Sequence, residues 1–415
     1  MNKARARMTA RIVIAVIVAG VLGWQWWGRH QPAPASAKVA DASGAATAAA
    51  PATAAIVRPA PPATLKMGTL TLTACELRQP DSGATTPAFC TKFPVPENRA
   101  DPESRTIHLK VAIVKSDSQA PDKDLVTYLA GGPGQSAIQT YPELAPALAP
   151  LLQNHDVLLV DQRGTGDSHP LKCPDVEKQL KHLAVTHPTP ERQAELVGEC
   201  AREVEKTSDP RDYTTTDAVA DLEAVRQALG APKLDLIGIS YGTRMAQQYA
   251  GTHPDGVRSI VLDSVAPNSL ILGETFAADL ERAIKLQVAD CVATPACNKQ
   301  FGDWRKTLLD LHAKLVAAPV QNVSFRDPQT FQPVTRTVNG DTLAGLVHLF
   351  AYNAEASALL PLDIQQAAQG NYLPLLGQTQ IGKGDLDAGM NGGMQLSVMC
   401  AEDAPFLTPR PEDAN

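Results

Sequence analysis

The stretch LDLIGISYGTRMAQQYA, from Leu234 to Ala250, places an apolar run directly before a serine. The run Leu234–Ile239 is typical of a strand buried in a parallel sheet, and Tyr241–Ala250 is predicted to be a helix. Ser240 lies at the junction, in the pentapeptide GISYG, which fits the pattern G-x-S-x-G. A serine at such a sharp turn adopts strained backbone angles and projects its hydroxyl above the sheet. The stretch therefore predicts that Ser240 is a catalytic nucleophile, the alternative being an ordinary turn serine.

A second glycine-rich loop lies upstream of this corner. The apolar run Leu125–Ala130 predicts a short strand, and the sequence GGPG follows it at residues 131–134. Acyl transfer needs two backbone N–H groups that point at the developing oxyanion. Tyr241, which follows the nucleophile, and Gly132 in this loop are the predicted donors. The alternative is a simple Gly-Pro turn.

Strands and helices alternate around these two loops. Asp156–Val160 predicts another buried strand, Thr216–Leu229 an amphipathic helix, and Ser259–Leu262 a further strand. This alternation is the signature of a doubly wound, mostly parallel α/β sheet, which we assign to residues 65–268. The loop DQRGTGDS, residues 161–168, closes one strand, and its Asp161 and Arg163 are predicted to brace loops rather than react.

The pattern changes after about residue 267. Helices are predicted over 274–292, 301–316, 341–352 and 355–368, whereas residues 324–338 look irregular and polar. Strands no longer alternate with these helices, so residues 269–415 are predicted to form a mainly helical cap on the sheet.

The N-terminus indicates export. Four basic residues up to Arg11 precede the apolar run Ile12–Trp24, which predicts that residues 1–30 are a secretion signal or a membrane anchor. The tryptophans that follow, ahead of Arg29, resemble an interfacial belt and favour the uncleaved anchor. Residues 31–64 are rich in Ala and Pro, which predicts a flexible linker.

Composition and cysteines narrow the class of protein. The net charge of −7 argues against a nucleic-acid partner. The chain has seven cysteines. Disulfides are expected in an exported protein, and nearest-neighbour pairing predicts Cys75–Cys90, Cys173–Cys200 and Cys291–Cys297, although sequence alone does not fix connectivity. Cys400 is left over, either as a buried thiol or with a partner beyond residue 415. The spacings suit no zinc site, and no cofactor is implied.

The three loops GGPG, DQRGTGDS and GISYGT, in this order, resemble the α/β-hydrolase peptidases of the proline iminopeptidase and tripeptidyl aminopeptidase group. The export signal, the paired cysteines and SVMCAE at residues 397–402 are similar to the secreted tripeptidyl aminopeptidase branch. The resemblance covers roughly residues 65–403. It implies an α/β-hydrolase fold, a Ser-Asp-His triad, a helical cap and release of short peptides or residues from free N-termini. One departure is Ala130, where iminopeptidases usually have His.

The resemblance also implies where the triad partners should stand, which is on loops after late strands. The histidines after Ser240 are His253, His312 and His348, and all lie in or at the end of predicted helices. Asp263 ends a strand, and an acid there occurs as a variant of this fold. We therefore expect the acid, the base and the last strands of the sheet to lie beyond residue 415, and this chain to show little hydrolysis.

Glu402 is a further candidate, because exopeptidases of this group pair carboxylates with the substrate's ammonium group; the alternative is a solvated surface residue. The sequence thus predicts an exported serine exopeptidase acting on peptides. The alternatives are an esterase or lipase, and a membrane-tethered protein without catalysis. The oligomeric state is not indicated.

Overall fold

A computed structural model describes residues 63–408, with gaps at 81, 184–189, 329, 352–353 and 388–389. The predicted signal or anchor, residues 1–30, lies outside the described residues, as does nearly all of the linker. Within the described ranges, no helix combines the length and the apolar character needed to cross a bilayer.

The strands of the main sheet are β1 Thr64–Met67, β2 Leu70–Arg78, β3 Thr85–Pro96, β4 Thr106–Val114, β5 Leu125–Leu129, β6 Val157–Val160, β7 Leu234–Ile239 and β8 Val257–Asp263. They form an eight-stranded sheet in the order β1-β2-β3-β4-β6-β5-β7-β8. Strand β4 pairs antiparallel with β6, whereas β6, β5, β7 and β8 all run parallel to one another. Because β1 to β4 pair antiparallel in sequence, β1 and β3 also run in the direction of these four strands. The mostly parallel sheet is therefore confirmed.

Both faces of the parallel strands are covered. Along β5, Leu125 and Leu129 belong to one apolar core, whereas Val126 and Tyr128 belong to another. Alternate side chains of a strand point to opposite faces, so the two cores lie on opposite sides of the sheet, as in a doubly wound fold. The helices of this half are α1 Ala137–Leu148, α2 Pro174–Leu183, α3 Pro190–Val204, α4 Thr215–Leu229 and α5 Tyr241–Thr252.

Three disulfides form as the nearest-neighbour rule predicts, joining Cys75 to Cys90, Cys173 to Cys200, and Cys291 to Cys297. The first ties β2 to β3, and the second ties the start of α2 to α3. Cys400 is a free and exposed thiol, so its assignment as a buried thiol is wrong.

The region after β8 is mainly helical and has its own apolar core, which includes Trp304, Leu343 and Ile364. The four predicted helices are confirmed in approximate position, the last of them as two helices, and the described residues add three helices that were not predicted, at 295–301, 373–387 and 392–402. The helices of this region are α6 Phe276–Ala293, α7 Pro295–Phe301, α8 Trp304–Ala317, α9 Gly340–Phe350, α10 Ala354–Ser357, α11 Leu360–Ala368, α12 Leu373–Asp387 and α13 Gly392–Glu402.

Residues 324–338 are not irregular, and that prediction is wrong. They belong to an antiparallel hairpin of β9, Val320–Arg326, and β10, Pro333–Val338. Val323 and Phe325 pack on the helical core, while Ser324 and Arg326, which alternate with them, are exposed. A period of two over so few residues is hard to recognise when the turn between the strands is as polar as their outer faces.

Helix α13 leaves the helical region and packs against the sheet. Met394 and Val398 are fully buried there, in the core that contains residues of β5 and α4. Residues 392–402, which the sequence assigned to the cap, thus lie beside the nucleophile corner.

One carboxyl group in the helical region makes folding stability depend on pH. Asp363 on α11 is 1% exposed, accepts a hydrogen bond from Gln378 Nε2 at 3.2 Å, and has no partner for Oδ2 among the described residues. Burial raises its pKa to about 6. The neutral acid is therefore favoured in the folded state, and the associated stability is present at pH 4 and lost as the pH rises through 6.

Asp363→Asn is expected to stabilise the protein at pH 7.5, by about 1–3 kcal/mol, and to change little at pH 4. Urea unfolding of both forms at the two pH values measures this difference. Asp310→Asn, which alters an exposed pair with Lys306, is the control and should shift stability by less than about 1 kcal/mol. A variant less stable than wild type at pH 7.5 would contradict the prediction.

Candidate active site

Ser240 occupies the sharp corner between β7 and α5. Its backbone angles are φ 55° and ψ −122°, a combination that non-glycine residues rarely adopt. Its N–H donates to the carbonyl oxygen of Asp263 at 2.9 Å, and its own carbonyl accepts from Thr243 N at 2.9 Å. The Ser240 side chain is exposed, and within the described part of the chain its hydroxyl makes no hydrogen bond. The strained corner thus presents an unengaged hydroxyl.

The two glycines of the pentapeptide are required by close backbone contacts. A Cβ on Gly242 would lie 2.1 Å from the carbonyl oxygen of Leu129, at the end of β5. A Cβ on Gly238 would lie 2.5 Å from the carbonyl oxygen of Gly242. Both distances are far below van der Waals contact, so the corner can close only where neither position carries a side chain.

The GGPG loop passes directly beside the nucleophile. A Cβ built on Gly131 would lie 3.2 Å from Cβ of Ser240. Gly132 follows with φ +109°, a conformation that favours glycine. Among the described residues, neither the Gly132 N–H nor the Tyr241 N–H donates a hydrogen bond. Two predicted donors that flank the serine and are not otherwise engaged meet a basic requirement of an oxyanion hole.

The Tyr241 side chain is held inside the protein. Its hydroxyl lies 2.6 Å from Thr215 Oγ1 and 3.3 Å from Gln162 Nε2, and the residue is 1% exposed. Burial, reinforced by the negative charge of Glu402, raises the pKa of the phenol above its ordinary value. The phenol therefore stays neutral and anchors the residue that follows the nucleophile.

Glu402 is the last residue of α13, and its carboxylate is already engaged by Thr215 at the start of α4. Oε1 accepts from Thr215 N at 2.5 Å, Oε2 accepts from Thr215 Oγ1 at 2.8 Å, and Arg244 Nη1 lies 3.6 Å away. Its side chain is 21% exposed and borders a cavity of about 420 Å³, together with Gln248 and Asn268. A carboxylate has about four lone-pair sites, so these contacts leave acceptor capacity for a substrate ammonium. That Glu402 binds the ammonium stays a prediction.

Ser240 has no histidine partner in the described part of the chain. His253 directly follows α5, a helix of 12 residues, which puts its backbone roughly 20 Å along the axis from the serine. His312 contacts the start of α9, since a Cβ on Gly340 would lie 3.0 Å from its Nε2. Asp263 is joined to Ser240 through the backbone, and its carboxylate accepts from Ser264 Oγ at 3.2 Å.

Arg163 and Asp161 are structural, as predicted. Arg163 is fully buried and donates through Nε and Nη2 to Asp221, each at 2.7 Å, while Nη1 donates to two backbone carbonyls. Asp161 accepts from Ser136 Oγ at 2.6 Å and from Ile138 N at 3.0 Å, which fixes the loop that leads from GGPG into α1. The sequence offered one missed signal, because Asp221 falls on the apolar face of its helix.

A second buried ion pair joins α5 to the end of α13. Arg244 donates to both carboxylate oxygens of Asp403 at 3.0 Å, and Leu272 N donates to the same group at 2.9 Å. Both charged residues are at most 5% exposed. This pair, which sequence reasoning missed, brings the segment after Met399 against the helix that starts at the nucleophile.

The chain belongs to the α/β-hydrolase family, because a family profile described as alpha/beta hydrolase fold matches residues 124–372. A tripeptidyl aminopeptidase of Streptomyces coelicolor is 30% identical over 250 residues, which cover 56% of this chain and 46% of that protein. The serine protease Hip1 of Mycobacterium tuberculosis is 28% identical over 244 residues, which cover 54% of this chain and 45% of that protein.

The chain thus spans less than half of the length of these two relatives. Among solved structures, a proline iminopeptidase of Mycobacterium smegmatis is 16% identical, with a TM-score of 0.31, over 68% of this chain and 69% of that one. By its family profile the chain is an α/β hydrolase, and its curated relatives include enzymes named as peptidases.

Proposed function

We propose that the protein is an exported serine exopeptidase that releases short peptides or residues from free N-termini. The observation that carries the proposal is the exposed Ser240, held at a strained corner with the GGPG loop in contact with it. Relatives named tripeptidyl aminopeptidase and proline iminopeptidase support a peptide substrate. Three disulfides support an oxidising compartment.

The chemistry proceeds through an acyl-enzyme. The Ser240 oxygen attacks the scissile carbonyl, and the N–H groups of Gly132 and Tyr241 hold the oxyanion that forms. The C–N bond then breaks, and the serine's proton reaches the leaving amine. Water hydrolyses the ester in a second step and returns the hydroxyl. A general base has to carry the proton in both steps, and we expect slow turnover from residues 1–415 because no described histidine reaches Ser240.

Hydrolysis of a tripeptide p-nitroanilide with a free N-terminus, of its acetylated form and of a p-nitrophenyl ester tests the proposal. We expect kcat/KM to be at least about tenfold higher for the free-amine peptide than for the acetylated one, because contacts with the substrate ammonium stabilise the transition state of an exopeptidase. Hydrolysis of the ester without any hydrolysis of the amides would favour an esterase instead.

The same assay examines Glu402. If its carboxylate pairs with the substrate ammonium, Glu402→Gln raises KM for the free-amine peptide more than for the acetylated one. Equal effects on the two substrates would remove Glu402 from the substrate site without affecting the proposal for Ser240.

A further inference from the structure

The residues just before α13 clamp the GGPG loop. Asn391 N donates to the carbonyl oxygen of Gly134 at 2.8 Å, and Met390 forms an antiparallel bridge with Gln135. A Cβ on Gly134 would lie 2.6 Å from the Asn391 carbonyl oxygen, and one on Gly132 would lie 3.2 Å from Met390 Sδ. The loop that carries one predicted oxyanion donor is thus packed directly on this segment.

The other end of α13 is tied to the other predicted donor. Glu402 accepts from Thr215 Oγ1 at 2.8 Å, and Thr215 Oγ1 lies 2.6 Å from the Tyr241 hydroxyl. One residue further on, Asp403 forms its buried pair with Arg244, on the first turn of α5. Both contacts act on the short helical segment that begins directly after Ser240.

The element between these two ends is a single helix that is buried in the core of the sheet domain. Helix α13 starts at the Asn391 cap, whose Oδ1 accepts from Met394 N at 2.9 Å, and it spans 11 residues, or roughly 16 Å. Met394 and Val398 are buried in the core of the sheet domain. A sulfur contact adds to this anchoring, since a Cβ on Gly164 would lie 2.6 Å from Met394 Sδ. Because the helix is continuous and buried, we expect its two ends to move together.

We propose that α13 positions the two halves of the oxyanion hole relative to each other, with Thr215 as the positioning residue that connects Glu402 to Tyr241. This inference rests on the proposed function. An oxyanion hole works when both donors lie about 2.7–3.1 Å from the oxyanion, and loss of one donor costs about 10²–10³ in rate. One helix that contacts both donor segments fixes that separation before substrate binds.

Thr215→Val removes the hydroxyl with little change of shape, and Thr215→Ser retains the hydroxyl. We expect Thr215→Val to raise amide hydrogen exchange in residues 240–246 at least fivefold, because the Tyr241 anchor is lost, and Thr215→Ser to remain within twofold of wild type. The rate of Ser240 phosphonylation by a fluorophosphonate should fall about 10- to 100-fold in Thr215→Val, since that reaction also develops charge on an oxygen. Thr215→Ser should restore it.

Tyr241→Phe provides a second variant, because it removes the other end of the same hydrogen bond. If the two hydroxyls act as one unit, the double variant Thr215→Val/Tyr241→Phe has the same amide exchange rate in residues 240–246 as either single variant. Its rate of Ser240 phosphonylation is also the same as theirs. Independent, multiplying effects would overturn the proposal. So would unchanged exchange in residues 240–246 in both single variants.

The matched control is Thr69→Val. Thr69 Oγ1 donates to the carbonyl oxygen of Ala228 at 3.0 Å, at the far end of the same helix α4. General loosening of α4 would make this variant behave like Thr215→Val, and that result would overturn the positioning role. Wild-type protein that does not react with the fluorophosphonate would contradict the proposed function. Hydrogen exchange needs no turnover, so it would still decide the role of Thr215 in that case.

Discussion

A fluorophosphonate is expected to attach to the protein at Ser240 and to leave Ser240→Ala unlabelled. The serine oxygen forms a bond to phosphorus, fluoride leaves, and the hydroxyl proton passes to solvent or to a base. The exposed hydroxyl and the free N–H groups beside it favour the reaction at this serine over all other described serines. Labelling should be slow, over hours, because no described histidine takes the proton. Intact mass and peptide mapping measure it.

Ser264→Ala is the matched control for this experiment. Ser264 is also exposed, also has a positive φ of 56°, and follows the neighbouring strand β8. Its hydroxyl, however, donates to the Asp263 carboxylate at 3.2 Å. The control should label as wild type does. Equal labelling of Ser240→Ala and wild type would show that a different residue reacts, and the nucleophile assignment would then be wrong.

The parts of the fold that the sequence predicts are those encoded by local patterns. Residues 234–250 define a strand, a corner and a helix within one short stretch, and the structure places all three at the predicted positions. The glycine loop is likewise local, and its contact with Ser240 follows from the parallel pairing of β5 with β7. Carboxyl ends of adjacent parallel strands meet at one edge of the sheet, so two loops that each follow such a strand are brought together.

The parts that the sequence does not predict depend on contacts between distant residues. Thr215 and Glu402, whose hydrogen bond joins α4 to α13, are 187 positions apart. The sequence of helix α13 does not indicate whether the helix packs on the sheet or in the helical region, because the same apolar side chains would suit either core. Arg163 and Asp221 read as charged residues of a loop and a helix, and their burial shows only when the two elements meet.

Gly242→Ala is expected to destabilise the protein by at least about 3 kcal/mol, at the upper end of the range for overpacking. The added methyl group would lie 2.1 Å from the Leu129 carbonyl oxygen, 2.7 Å from its carbonyl carbon and 2.9 Å from the Ala130 carbonyl oxygen. All three are backbone atoms of β5 and the loop after it, so no flexible side chain can give way. Helix α5 would have to shift away from the sheet, which would also displace Ser240. Urea unfolding measures the loss.

Gly251→Ala on the same helix separates this steric effect from the general effect of replacing a helical glycine. A Cβ at position 251 meets no atom within 4 Å, so alanine there should stabilise the protein by about 0.5–1 kcal/mol through its higher helix propensity. Since both positions lie within α5, the two substitutions share the same helix and the same change of chemistry. A difference of opposite sign between them therefore measures the close approach of α5 to β5. Equal effects at the two positions would mean that the corner does not depend on glycine, and the basis for the strained nucleophile turn would be lost.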